Sequence, residues 1–159
     1  MDLSLFITQD GMDKIQRRIQ FLLSERPEVI KAVAVAREFG DLSENAEYKA
    51  AREKQRQIDG EIDHLRRRAA HLKVVDVSAF PKDKIRFGSI CQTREESSGE
   101  ETCYQVVGVD ELNFYDREGI QPVSVLSPIG KALLGKESGE IALVKAPIGD
   151  RHLLIVAIL

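Results

Sequence analysis

Apolar residues recur along the first half of the chain at alternating spacings of four and three: Ile15, Ile19, Leu22, Val29, Val33 and Ala36. That period predicts one long helix buried along a narrow stripe. Arg26 is the one polar head on this seam. Thr8 or Asp10 can cap the helix. Gly11, just inside the start, lowers helix propensity. Pro27 removes a backbone donor and predicts a kink, or a split near Arg26. A second seam follows, with Ala51, Ile58, Leu65 and Leu72 seven apart and Gln55, Ile62 and Ala69 at the alternate position. Residues 44–73 hold no proline and one glycine, Gly60; thirty helical residues would extend about 45 Å.

Between the two patterns lies the stretch 37–52. Gly40 suits the residue just beyond a helix ending at Phe39, since glycine accepts the left-handed conformation cheaply. Asp41 or Ser43 can cap the next helix, and Glu44 stands in its first turn, where negative charge is favoured. Ala46, Ala50 and Ala51 let two helices approach closely. The pattern predicts an antiparallel coiled-coil hairpin.

After residue 74 the period shortens to that of strands. Residues 74–81 read as a strand or link, and 85–94 as a strand with a bend at Gly88. Residues 102–109 pair with that strand across the polar loop 95–101. A further strand covers 121–125. Ser127 and Pro128 then start a short helix, as N-cap and first helical residue, and Gly135 ends it. Two last strands cover 140–145 and 152–159. The class is α+β: a helical hairpin over 1–76, then a mainly antiparallel sheet with a short helix over 77–159, divided at about 75–79.

Composition narrows the function. The chain has 159 residues, 43% hydrophobic and 31% charged, and a net charge of -3. A coating protein for nucleic acid would be basic overall. No apolar tract is long enough to cross a membrane and no leader precedes the first helix, so a cytoplasmic location is expected. Cys91 and Cys103 are then reduced thiols. They stand symmetrically about Ser97, a spacing that can bring them face to face on the strand pair. As metal ligands they lack partners.

The candidate chemistry sits at the turn. Asp41 and Glu44 are three apart, the spacing of a capping box. They are also oxygen donors of the kind magnesium takes, but two carboxylates cannot complete an octahedral shell. If this turn works on a metal, another molecule supplies the remaining ligands, so a self-contained enzyme is not expected. Arg37, Lys49 and Arg52 flank the acids. They read either as solvated helix charge or as a phosphate-attracting patch. Tyr48 can stack on a base, though seam packing is the preferred reading.

The stretch Gly40-Asp41-Leu42-Ser43-Glu44-Asn45-Ala46-Glu47-Tyr48, continued by Ala50-Ala51-Arg52-Glu53, resembles the bacterial transcription elongation factor family GreA/GreB, its GreA branch more closely. Arg26-Pro27-Glu28 supports this. So does Ser127-Pro128-Ile129-Gly130-Lys131-Ala132-Leu133-Leu134-Gly135-Lys136, similar to the family's second motif. The likeness spans essentially the whole chain. It implies a factor that binds backtracked RNA polymerase and inserts its coiled coil into the secondary channel. There Asp41 and Glu44 would help hold Mg2+ jointly with the polymerase, which then cuts the 3′ end of its own nascent RNA. Arg37 and Arg52 match the family's basic patch, with Lys49 a local addition. The scarcity of further bases implies a preference for short extruded RNA.

The second half is similar to the family's FKBP-like domain. The turn at Ser127 and Pro128 matches a loop that docks on the polymerase rim, although Leu126 stands where relatives tend to carry a polar residue. A monomer with no cofactor of its own, no membrane partner and no activity alone is expected. Three alternatives are a channel-blocking relative without cleavage, an FKBP-like prolyl isomerase and a plain coiled-coil scaffold. Intact Asp41 and Glu44 oppose the first. Few aromatics (6%, no Trp) oppose the second. The third has no need of acids flanked by bases.

Overall fold

The structure, a computed structural model, describes residues 2–40 and 45–159. It divides into two compact units: Asp13–His71, and the segment up to Met12 together with Leu72–Leu159.

The first unit is the hairpin. Helix α1 runs Gln9–Arg37 and α2 runs Ala46–His71. Every residue predicted for the first seam is buried: Ile15, Ile19, Leu22, Val29, Val33 and Ala36. On α2 the buried residues are Ile58, Ile62 and Leu65. Each fully buried aliphatic side chain contributes about 1.5–3 kcal/mol. The helices run antiparallel, because residues late in one are tied to residues early in the other. Arg18 grips Glu61 with two hydrogen bonds (2.8 and 3.0 Å), and Arg26 reaches Asp59 at 2.6 Å. Arg26, the polar head on the seam, is thereby paired rather than stranded. Pro27 does not split the helix, which continues unbroken through it. Pro27 itself is exposed.

The second unit begins with the short strand β1 (Phe6–Thr8), which pairs in parallel with β2 (Lys73–Val75). Residues 1–76 were read as belonging to the hairpin, yet the segment before residue 13 packs with the sheet. Thr8 caps α1, its Oγ1 accepting from the Gly11 amide at 3.1 Å. A Cβ on Gly11 would stand 2.7 Å from the Glu111 side chain. The glycine that weakens the helix is what lets Glu111 in. Glu111 is buried and accepts from the Thr8 amide (2.9 Å), the Thr8 hydroxyl (2.5 Å) and the Gly108 amide (2.9 Å).

The main sheet has five strands in the order β5-β4-β3-β7-β6. These are β3 (Ile90–Glu95), β4 (Glu101–Val107), β5 (Gln121–Ser124), β6 (Ile141–Val144) and β7 (Arg151–Ile158). Three pairings are antiparallel, while β4 and β5 run parallel. The parallel edge follows from a 3-10 segment, Val109–Phe114, that carries the chain back before β5. The short helix α3 (Pro128–Leu133) covers one face of the sheet. The core joins Ile85, Phe87, Val106, Val125, Leu133, Leu153 and Ile155. Phe6 packs edge-to-face on Phe87, with ring centroids 5.6 Å apart.

The two cysteines do not face each other. The register sets Cys91 opposite Tyr104 and Cys103 opposite Gln92. A one-residue offset sends the two side chains to opposite faces of the sheet. Cys91 lies in the core, where burial pushes its thiol up to about 12.

Candidate functional site

The ends of α1 and α2 converge on the turn. The last residues of α1 tighten: the Glu38 amide donates to the Val35 carbonyl and the Phe39 amide to the Ala36 carbonyl, both at 3.2 Å. Gly40 follows with φ of 107°, a conformation other residues adopt at a cost. The chain re-enters helix at Ala46, capped by Asn45. Its Oδ1 accepts from the Tyr48 amide at 3.0 Å, and its backbone carbonyl accepts from Lys49. The cap was expected at Asp41 or Ser43. Both, with Glu44, lie outside the described residues.

Asn45 does more than cap. Its Nδ2 donates to the Ala36 carbonyl at 2.8 Å, across from the other helix. One carboxamide thus adds a second bond to the Ala36 carbonyl at the end of α1 and satisfies an orphan amide at the start of α2. The side chain is oriented by these partners, since reversal would set oxygen against a carbonyl and NH2 against an amide. The sequence reading missed this bridge. Asparagine at the foot of a helix was a visible capping signal, but its second partner, nine residues back, was not visible.

A second clasp lies beside it. The Arg37 guanidinium stands over the Tyr48 ring, 5.7 Å from its centroid. Tyr48 is half-buried. A guanidinium stacked on a ring keeps its in-plane N–H donors directed outward. Arg52 lies one helical turn beyond Tyr48 on the same side of α2 and approaches Gln55 at 3.5 Å. Lys49 is exposed. Arg37, Lys49 and Arg52 therefore gather around the end of the hairpin, on either side of the acidic stretch.

The other expected site residues lie in the sheet unit. Ser127 caps α3, its Oγ accepting from the Gly130 amide at 3.0 Å and donating to the Ser124 carbonyl at 2.7 Å. A Cβ on Gly130 would lie 1.9 Å from that carbonyl, so only glycine fits beneath the turn. The result is a rigid corner presenting exposed Leu126 and Pro128.

Among the described residues no group of three or more His, Cys, Asp or Glu side chains could hold a metal, and no helix is long and apolar enough to cross a membrane. A hollow of about 520 Å3 in the sheet unit is lined by residues including Thr8, Asp76, Glu111, Tyr115 and Arg117. Tyr115 is its one aromatic wall, unlike the aromatic-lined pocket a prolyl isomerase needs.

Comparison with known proteins bears on both units. Residues 5–74 match the family model described as the N-terminal domain of transcription elongation factors, and residues 80–159 match that for the C-terminal domain of GreA/GreB. The chain is 44% identical over 154 residues to transcription elongation factor GreA of Thioalkalivibrio sulfidiphilus, covering 96% of this chain and 95% of that one. It is 43% identical over 146 residues to GreA of Rhodospirillum rubrum, covering 91% and 90%. Among solved structures, the GreA/GreB factor of Nitrosomonas europaea aligns at 32% identity with a TM-score of 0.40, over 61% of this chain and 78% of that one. Two family domains in order, with relatives above 40% identity along almost the full length, place this chain in the GreA/GreB family of transcription elongation factors.

Proposed function

We propose that the protein binds backtracked RNA polymerase, delivers the end of its hairpin through the secondary channel, and stimulates cleavage of the RNA 3′ end. The observation that carries this reading is the closed end of the hairpin. Asn45 ties the last turn of α1 to the first of α2, so Asp41 and Glu44 belong to a short connection at the tip of a two-helix stalk. With 29 residues in α1 and 26 in α2, the helices extend about 40 Å.

The donor chemistry fits the ion the family resemblance implies, because carboxylate oxygens are what magnesium takes. Asp41 and Glu44 would hold it together with polymerase groups. The ion would supply a clamp on attacking and leaving oxygens in phosphoryl transfer. The two carboxylates would also accept hydrogen bonds from the attacking water and orient it. Arg37, Lys49 and Arg52 would attract the phosphates of the extruded RNA, a contact that is sequence-independent and weakens with salt. Ser127 and Pro128 would form part of the surface that docks on the polymerase rim. The factor donates groups to another enzyme's site and is inert toward RNA alone.

The test adds the protein to a backtracked polymerase complex and follows short 3′ RNA fragments. Cleavage is expected with the native chain. Asp41→Ala and Glu44→Ala should each abolish it while polymerase binding persists. Binding without cleavage by the native chain would mark a channel-blocking relative instead. Normal cleavage by either variant would remove the proposed role of the carboxylates.

A further inference from the structure

We infer that Asn45 is a positioning residue for the two carboxylates; the inference rests on the function proposed above. The turn between the helices is fixed at one end by Ala36 and at the other by Tyr48, and one side chain spans both. The Ala36 carbonyl accepts from the Asn45 Nδ2 at 2.8 Å and from the Phe39 amide at 3.2 Å, using both lone pairs. The Asn45 Oδ1 accepts from the Tyr48 amide at 3.0 Å.

An ordinary helix cap needs only the second of these bonds. The first crosses between helices and has no capping purpose. What it fixes is the separation between the ends of the connection that carries Asp41 and Glu44. The surrounding packing gives little help in this. Ala36, the last buried seam residue of α1, contributes only a methyl group, and among the described residues Gly40 has nothing within 4 Å of where a Cβ would stand. The Arg37–Tyr48 stack is a further cross-helix contact here, and Arg37 lies on the surface. Among the described residues, the bonds that join the helix ends here are polar ones. A carboxylate that completes another protein's metal shell must arrive within a fraction of an ångström, and misplacement of about 1 Å can cost roughly a hundredfold in rate.

Two substitutions separate capping from bridging. Asn45→Ser keeps an oxygen that accepts from the Tyr48 amide, but it stops a bond short of the Ala36 carbonyl and adds no charge to the site. Asn45→Ala loses both bonds. Each variant is checked for helix content by far-UV circular dichroism and for polymerase affinity by competition with the native chain. Cleavage on a backtracked complex is then measured at saturating factor over a magnesium titration.

Both variants should bind polymerase like the native chain, yet cleave about 10- to 100-fold more slowly at saturation. Both should also need more magnesium for half-maximal rate. Native-like cleavage by Asn45→Ser would reduce the residue to a cap and overturn the inference. A loss confined to affinity would overturn it too, by making Asn45 a binding residue. Absence of cleavage with the native chain would instead defeat the function on which the inference rests, a distinguishable result because it precedes any substitution.

Discussion

The two units solve the problem of holding a shape by different means. The sheet unit buries a three-dimensional core in which Val106, Leu133 and Ile155 lose all contact with water. The hairpin has only a seam. Its buried residues form a single file, and its flanks are held by ion pairs such as Arg18–Glu61, whose side chains remain more than a third exposed. Towards its end the described seam thins to Ala36, with half-buried Ala51 lining the same hollow. A core fixes position through packing in every direction. A seam fixes it in one direction only. Among the described residues, the end of the hairpin is thus joined by individual hydrogen bonds, while the sheet unit is held by its core.

The largest test of that contrast is in the cores. Ile155→Ala should destabilise the sheet unit by about 3–5 kcal/mol, because its packed surroundings cannot collapse into the space. Ile62→Ala should cost less, since solvent lies beside the seam and can fill in. Urea unfolding of the two variants measures both, and equal costs would break the comparison.

Next in size is Glu111→Ala. It would leave the buried amides of Thr8 and Gly108 without an acceptor, at a cost of about 2–3 kcal/mol. Faster proteolytic cleavage near residues 2–12 should accompany it. An unaltered urea midpoint would show that the segment is held by β1 and β2 alone.

The smallest effect belongs to the hairpin's flank. Arg18 donates to Glu61 and holds its carboxyl below the ordinary range, with the Arg18 charge adding a smaller share. A carboxylate depressed in the folded state stabilises while ionised, so the contribution is present at neutral pH and fades as pH falls through the carboxylate range. Glu61→Gln should cost at most about 1 kcal/mol at pH 7, given the exposure. The difference from the native chain should shrink at pH 3. A difference that grew with acid would reverse the assignment.

Legibility followed the same division. Both seams were readable because a helix repeats its buried positions at fixed spacing, and all six residues predicted for α1 are buried. Strands β3 to β7 were readable from alternation, to within a residue or two except at the start of β3. Three things were hidden. The parallel pairings β1–β2 and β4–β5 join segments whose partners no local pattern names. The cysteine positions invited a facing pair, and an offset of one residue in register undid it. Glu111 drew no reading from the sequence; the clue was Gly11, a helix-weakening residue whose reason lay a hundred positions away. Of the two outcomes expected at Pro27, the split does not occur, since a packed helix absorbs one missing bond. At the turn, the family motif marked Asp41 and Glu44, but the bond that joins the helix ends depends on which residues face each other after folding.

The central claim is that this chain lends two carboxylates to a metal site completed by its partner. Magnesium titration of transcript cleavage tests it most directly, comparing polymerase alone, polymerase with the native chain, and polymerase with Glu44→Ala. The native chain should lower the magnesium concentration needed for half-maximal cleavage, and Glu44→Ala should leave it where polymerase alone sets it. A midpoint that the native chain does not move, or that Glu44→Ala moves equally, would contradict it.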